Sequence, residues 1–178
     1  SEMCIRDSIY IDLTGYYAFP GLIDMHVHLT SQSSNRAYLE NFTLNAADYA
    51  IRATKNAEKT LLAGFTTVRN LGDFDSITIS LRNAINDKIT RGPRIYSSGK
   101  TIATTGGHAD PTNSLNLKLT SDPGPAEGII NNADDAYKAV RHRYKEDADL
   151  IKITATGGVL SNAKDGQSPQ TVSYTHLR

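Results

Sequence analysis

Gly21-Leu22-Ile23-Asp24-Met25-His26-Val27-His28-Leu29 is an apolar run that ends in two histidines two residues apart. In an extended strand alternate side chains share a face, so Asp24, His26 and His28 are expected to point the same way. Two imidazoles projecting from one strand end make a chelating pair for a borderline metal such as zinc. The sequence holds 5 His in 178 residues, so the pair concentrates a scarce residue. The plainer alternative is two polar residues at a strand terminus.

Upstream, residues 9–13 read as a short alternating strand, with a turn at Thr14-Gly15-Tyr16-Tyr17 and punctuation at Pro20-Gly21. Downstream, a polar loop from Thr30 to Arg36 leads to a helical pattern over about 44–62. Its face carries Ala46, Ala47, Ala50, Ala53, Ala57, Leu61 and Leu62, and Gly64 is the stop. Phe65-Thr66-Thr67-Val68-Arg69 is rich in strand formers. A turn at Gly72-Asp73 precedes a helix over about 77–89, which Gly92-Pro93 ends. A third strand over 94–98, a loop to about 128, a helix over about 133–147 and a fourth strand over 150–154 follow.

Strands and helices that alternate in this way predict a parallel sheet with right-handed crossovers. Four βα units amount to the first half of a (β/α)8 TIM barrel, which typically needs ~250 residues. A small doubly wound sheet is the other architecture with this rhythm. No Gly-x-Gly-x-x-Gly or P-loop follows a strand, so nucleotide binding gains no support.

Lys plus Arg number 19 and Asp plus Glu number 19, for a formal net charge of zero. With no basic stripe, the chain is expected to meet neither nucleic acid nor an acidic membrane. No apolar run approaches the ~20 residues of a bilayer span. A single cysteine excludes an internal disulfide framework and assigns no compartment.

The two ends read as foreign to the rest. Met3-Cys4-Ile5-Arg6-Asp7-Ser8 can be encoded ATG-TGT-ATA-AGA-GAC-AG, and Val172-Ser173-Tyr174-Thr175-His176-Leu177 can be encoded GTC-TCT-TAT-ACA-CAT-CT. These are reverse complements over almost their whole length and resemble a translated sequencing adapter of the kind found in metagenomic assemblies. Residues 1–8 and 172–178 are therefore expected to be non-native, which leaves an internal fragment over about 9–171 and withdraws Cys4 and His176 from any functional role.

Lys152 sits in Ile151-Lys152-Ile153, inside a strand expected to be buried on both faces. Leu150, Lys152 and Thr154 share one face, and the isoleucines share the other. Burial disfavours an ammonium, and a neutral amine could take up carbon dioxide to give an anionic carbamate that bridges two metal ions. The same lysine could instead snorkel to the strand end, pair with Asp24 or serve as a Schiff-base nucleophile.

Taken in order, five stretches resemble one family. They are Pro20 to His28, Thr60 to Gly72, Gly92-Pro93-Arg94-Ile95, Thr105-Gly106-Gly107-His108, and Asp149 to Ile153 with Ala155-Thr156-Gly157-Gly158-Val159. The family is the amidohydrolase superfamily, in its branch of prolidase-like and imidazolonepropionase-related metal-dependent hydrolases. The resemblance covers nearly all of residues 9–171. It implies that His26 and His28 hold the more buried metal and that carboxylated Lys152 bridges it to a second, usually zinc. Two ions ~3.5–4 Å apart would activate a shared water and polarise the scissile carbonyl. It further implies that His108 contacts the substrate carbonyl, the alternative being an exposed loop histidine; Asp24 either orients the ligands or is an inward polar residue of the barrel. His142, on a predicted helix, is expected to be solvated.

The resemblance also marks what this sequence lacks. The family uses two histidines after the fifth and sixth strands and an aspartate after the eighth, and residues 9–18 correspond to a remnant of a flanking β-sandwich. Residues 19–171 would be the N-terminal half of the barrel. The expectation is an inactive, poorly folded fragment of a parent that hydrolyses the C–N bond of a small molecule or dipeptide, foremost a dipeptide ending in proline. A cyclic amidohydrolase and a non-catalytic barrel used for binding or assembly are the alternatives, and an oligomeric parent is compatible with either.

Overall fold

The computed structural model describes residues 9–158 and 169–170; the adapter-like ends lie outside them. Three strands, β1 (Leu22–Val27), β2 (Phe65–Asn70) and β3 (Arg94–Ser97), form one parallel sheet in the order β1-β2-β3. The helices are α1 (Ala37–Thr43), α2 (Ala46–Leu62), α3 (Ile77–Asn86) and α4 (Ala133–Lys145), with short 3-10 turns at Leu117–Leu119 and Pro125–Glu127. No helix among the described residues is long and apolar enough to cross a membrane.

The small residues of α2 let it lie close to the sheet. Ala53 and Ala57 are wholly buried with Val68, Ile95, Leu29, Ile77 and Leu81, so α2 and α3 cover one face of the strands. Asn45 starts α2, its N–H donating to the Asp48 carboxylate at 2.9 Å, and Gly64 ends it in the left-handed region at φ 95°. Leu62, expected on the packed face, is 79% exposed. A second cluster of Ile102, Ile130 and Ala139 seats α4. Asn132 caps that helix by accepting the Asp135 N–H at 2.9 Å, with acids in its first turn and bases in its last, as the helix dipole favours.

The opposite face is open. Ile23, Met25, Thr67, Arg69, Arg94, Tyr96 and Leu150 line a groove of about 490 Å³, with Ile23 61% and Met25 53% exposed.

β1 departs from strict alternation twice. Leu22 aligns with Phe65 but Ile23 with Thr67, which leaves Thr66 as an extra residue in β2; Asp24 aligns with Val68 but Val27 with Asn70, which leaves an extra residue in β1. The two irregularities cancel over the length of the strand. In consequence Ile23 and Met25 face the groove while Val27, two residues on, packs against the helices. Asp24 does not accompany the imidazoles. Its Oδ1 accepts the backbone N–H of His26 at 2.9 Å, so the carboxylate braces the bulge.

Residues 150–154 do not join the sheet as the fourth strand that the sequence predicts. They pair with the chain beyond β3 through a single parallel bridge, Ile102 with Ile153, in which Ile102 N–H donates to Lys152 O at 2.8 Å and Thr154 N–H donates to Ile102 O at 2.9 Å. The reason lies at Asp149. Its Oδ2 takes the Ser97 N–H at 2.8 Å, a donor that a neighbouring strand would otherwise use, and Arg82 holds the same oxygen at 2.7 Å. Ile151 and Ile153 are exposed by 38% and 41%, since no described helix covers them.

Other boundaries shift for local reasons. Residues 9–13 form no strand, although the turn at Thr14 is present, held by the Asp12 carboxylate. A separate helix, α1, occupies 37–43, where the sequence suggests only the approach to α2. α3 stops at Asn86 because Lys88 turns left-handed, at φ 61°, and Ile89 N–H closes back on Ala84 O at 2.8 Å.

Candidate active site

The chain brings four of its predicted functional residues to one place. His26, His28, His108 and Lys152 line a pocket of about 140 Å³ with Leu71, Thr101, Ala109 and Thr154. They come from the end of β1, the loop after β3 and the segment that bridges to Ile102. The His26 and His28 rings stand 5.2 Å apart at 62°, edge towards face. Lys152 is partly buried, and Leu150, two residues before it, lines the neighbouring groove.

The backbone behind the histidines is fixed by two asparagines. Leu29, the residue after His28, donates its N–H to Asn70 Oδ1 at 2.9 Å, and its carbonyl accepts from Asn56 Nδ2 at 2.8 Å. Asn70 is itself wholly buried at the end of β2 and donates to Gly72 O at 2.7 Å. Gly72 makes room for the ring: a Cβ there would lie 3.2 Å from His28 Cε1 and from Thr101 Oγ1, and its φ of 155° disfavours any side chain.

The electrostatics favour a neutral donor at His28. Desolvation holds its pKa below the usual histidine range, with the positive charges of His26 and Lys152 adding to the effect. A neutral imidazole is the form that ligates a metal. Three imidazoles and a lysine amine line one pocket, and imidazole nitrogens are ligands for borderline metals. Among the described residues, no three His, Cys, Asp or Glu side chains gather closely enough to hold a metal by themselves.

The loop carrying His108 is organised by Asp110. Burial works to raise the pKa of this carboxyl, but hydrogen bonds from Thr112 Oγ1 (2.7 Å), Gly106 N (2.8 Å) and Thr112 N (2.9 Å) outweigh it and leave it lowered. His142 lies apart from the pocket. Expected to be solvated, it is partly covered, with Nδ1 3.0 Å from Arg143 and 3.5 Å from Glu146.

Sequence reasoning missed Asn56, Asn70 and Thr101, whereas Thr154 was expected on the face of Lys152 and lines the same pocket. Of the three missed, only Asn70 left a trace, as a polar residue ending a run of strand formers; the others depend on contacts across long separations.

A Xaa-Pro dipeptidase crystallised with methionine in its active site superposes with a TM-score of 0.80 at 51% identity, over 86% of this chain and 38% of that one. A prolidase bound to N-methylphosphonate-L-proline matches at 31% identity and a TM-score of 0.72, again over 86% and 38%. The ochratoxinase of Aspergillus niger is 29% identical over 154 residues, 80% of this chain and 32% of the enzyme. The chain therefore spans about a third of the length of these relatives. The Amidohydrolase family matches residues 17–178, and with that extent of agreement the chain belongs to the amidohydrolase family.

Proposed function

We propose that the parent of this chain is a metal-dependent amidohydrolase that cleaves the C–N bond of a small substrate, foremost a dipeptide with C-terminal proline. The observation that carries the reading is the pocket shared by His26, His28, His108 and Lys152. Residues 19–171 are read as the first half of a TIM barrel, 9–18 as the remnant of a β-sandwich, and 1–8 and 172–178 as adapter-derived. Support for the substrate class comes from the dipeptidase and the prolidase among the similar structures.

In this reading His26, His28 and carboxylated Lys152 are the residues that would hold the metal, with zinc the ion that suits the imidazoles. A pair of such ions lowers the pKa of water and polarises a carbonyl. Burial, with the charges of His26 and Lys152, shifts His28 towards the neutral form that ligates a metal. Asn56 and Asn70 keep the strand end from fraying, so the two rings stay in register. His108 would contact the carbonyl oxygen of the scissile amide and orient it. Among the described residues, three imidazoles and one lysine line this pocket, and we read the 178-residue chain as inactive on its own.

The test is a hydrolysis assay of the intact parent against Xaa-Pro dipeptides and a panel of cyclic amides, before and after chelation and again after zinc is returned. The expected result is proline release that chelation abolishes and zinc restores. Lys152→Ala should lose activity, and Lys152→Glu, which places a carboxylate near the same position, should recover part of it. Turnover indifferent to chelation would sink the proposal, and turnover of the cyclic amides alone would replace the substrate class.

A further inference from the structure

His108 is not held over the pocket by its own loop alone. Its backbone N–H donates to Gln170 Oε1 at 2.6 Å. The carbonyl of Gln170 accepts from Thr104 Oγ1 at 2.9 Å, and its N–H donates to Ala155 O at 2.8 Å. Beside it, Thr156 and Pro169 form an antiparallel bridge. Gln170 therefore bonds twice to the loop that carries His108 and once to the segment that follows Lys152.

The ring is set by a second contact. Gly158 lies against the imidazole so closely that a Cβ there would fall 2.9 Å from His108 Cε1 and 3.2 Å from both ring nitrogens. Contacts under about 3.0 Å do not persist, and the ring is the movable partner. Gly158 and Ala155 both follow Lys152 within six residues. The spacing between His108 and Lys152 is thus governed by the Ala155–Gly158 stretch and Gln170.

We propose that Gln170 and Gly158 are positioning residues that fix His108 over the pocket shared with His26, His28 and Lys152, one through the backbone N–H of His108 and the other through the face of its ring. The inference rests on the amidohydrolase reading insofar as His108 is to orient a substrate carbonyl. Neither residue touches His26, His28 or Lys152 in the contacts described, so the effect on chemistry passes through His108.

The experiment uses the intact parent with Gln170→Leu, Gln170→Glu and Gly158→Ala. Leucine keeps the approximate shape and removes the acceptor, whereas glutamate retains an acceptor oxygen. Gln170→Leu and Gly158→Ala should each lower kcat on the order of 10- to 100-fold, the scale expected when a reacting group is displaced by about 1 Å, with KM changed far less. Gln170→Glu should stay within about threefold of the parent. Independently of turnover, amide exchange at His108 should accelerate in Gln170→Leu, and the His108 ring resonances should shift in Gly158→Ala. Normal exchange and ring shifts in both variants would overturn the proposal, as would Gln170→Glu failing as badly as Gln170→Leu. If the exchange and ring effects appear in a protein that hydrolyses no amide, the positioning stands and the amidohydrolase reading falls.

Discussion

Asn70 accepts the N–H of Leu29 at 2.9 Å, so the end of β2 grips the chain one residue past His28. The bond is buried, and removing the acceptor leaves a donor with no partner, which costs about 1–3 kcal/mol. Asn70→Leu is expected to lower stability by that order. It should also weaken zinc binding by the parent about 10- to 100-fold, as the loss of a residue that orients a ligand typically does. Denaturant titration and competition with a zinc-binding dye check the two parts separately, and unchanged zinc affinity would refute the second.

Arg82 bonds to both Asp147 and Asp149, yet the two carboxylates are unequal. Asp147 has a side chain 81% exposed and Asp149 one 27% exposed, and only Asp149 also holds the Ser97 N–H. Asp149→Ala should cost roughly 1–3 kcal/mol, since it leaves the Ser97 amide without its acceptor and removes the more buried of the two carboxylates that hold Arg82. Asp147→Ala should cost under about 1 kcal/mol, as exposed pairs do. Chemical unfolding of the two variants tests the order, and equal losses would contradict it.

Asp110 gives a pH dependence with a defined sign. Its pKa is lowered in the folded chain, so its contribution to stability is present above the unfolded carboxyl pKa and fades as pH falls through the lower folded value. Asp110→Asn should therefore loosen the Gly106–Asn113 loop at neutral pH, seen as faster exchange of the Gly106 and Thr112 amides. The difference between variant and parent should narrow on acidification below the ordinary carboxyl range. A gap that widens in acid would reverse the assignment.

The groove lined by Ile23, Met25 and Tyr96 presents apolar surface to water. The isolated 178-residue chain is expected to bind an anilinonaphthalene dye and to unfold with a broad, weakly cooperative transition. Ile23→Gln with Met25→Gln should reduce dye binding without lowering stability. Cooperative unfolding with no dye binding would contradict this.

Much of the fold could be read from the sequence because it is written in local periodicity. The small-residue face of α2, the β-formers from Phe65 to Arg69 and the stop at Gly64 each report their own conformation. The site was legible as residue types, His26, His28, His108 and Lys152, whose chemistry is distinctive wherever they fall. The partners that set their geometry were not: Asn56 and Gln170 act on residues 27 and 62 positions away. Asp149 was equally silent, and its capture of the Ser97 N–H is why the predicted fourth strand reduces to one bridge. Asp24 failed the alternation argument because a bulge changes the count between it and Val27.

That bulge carries a consequence for how the strand can evolve. Because Thr66 in β2 and the extra residue in β1 offset each other, the segment holding Ile23 and Asp24 keeps a phase of its own, while Leu22 and Val27 remain aligned with Phe65 and Asn70. The apolar lining of the groove and the histidine pair are thus decoupled along one strand, like two gears on a shaft joined by a slip. Substitutions at Ile23 or Met25 can reshape the groove without turning either imidazole, provided that Asp24 keeps hold of the His26 amide.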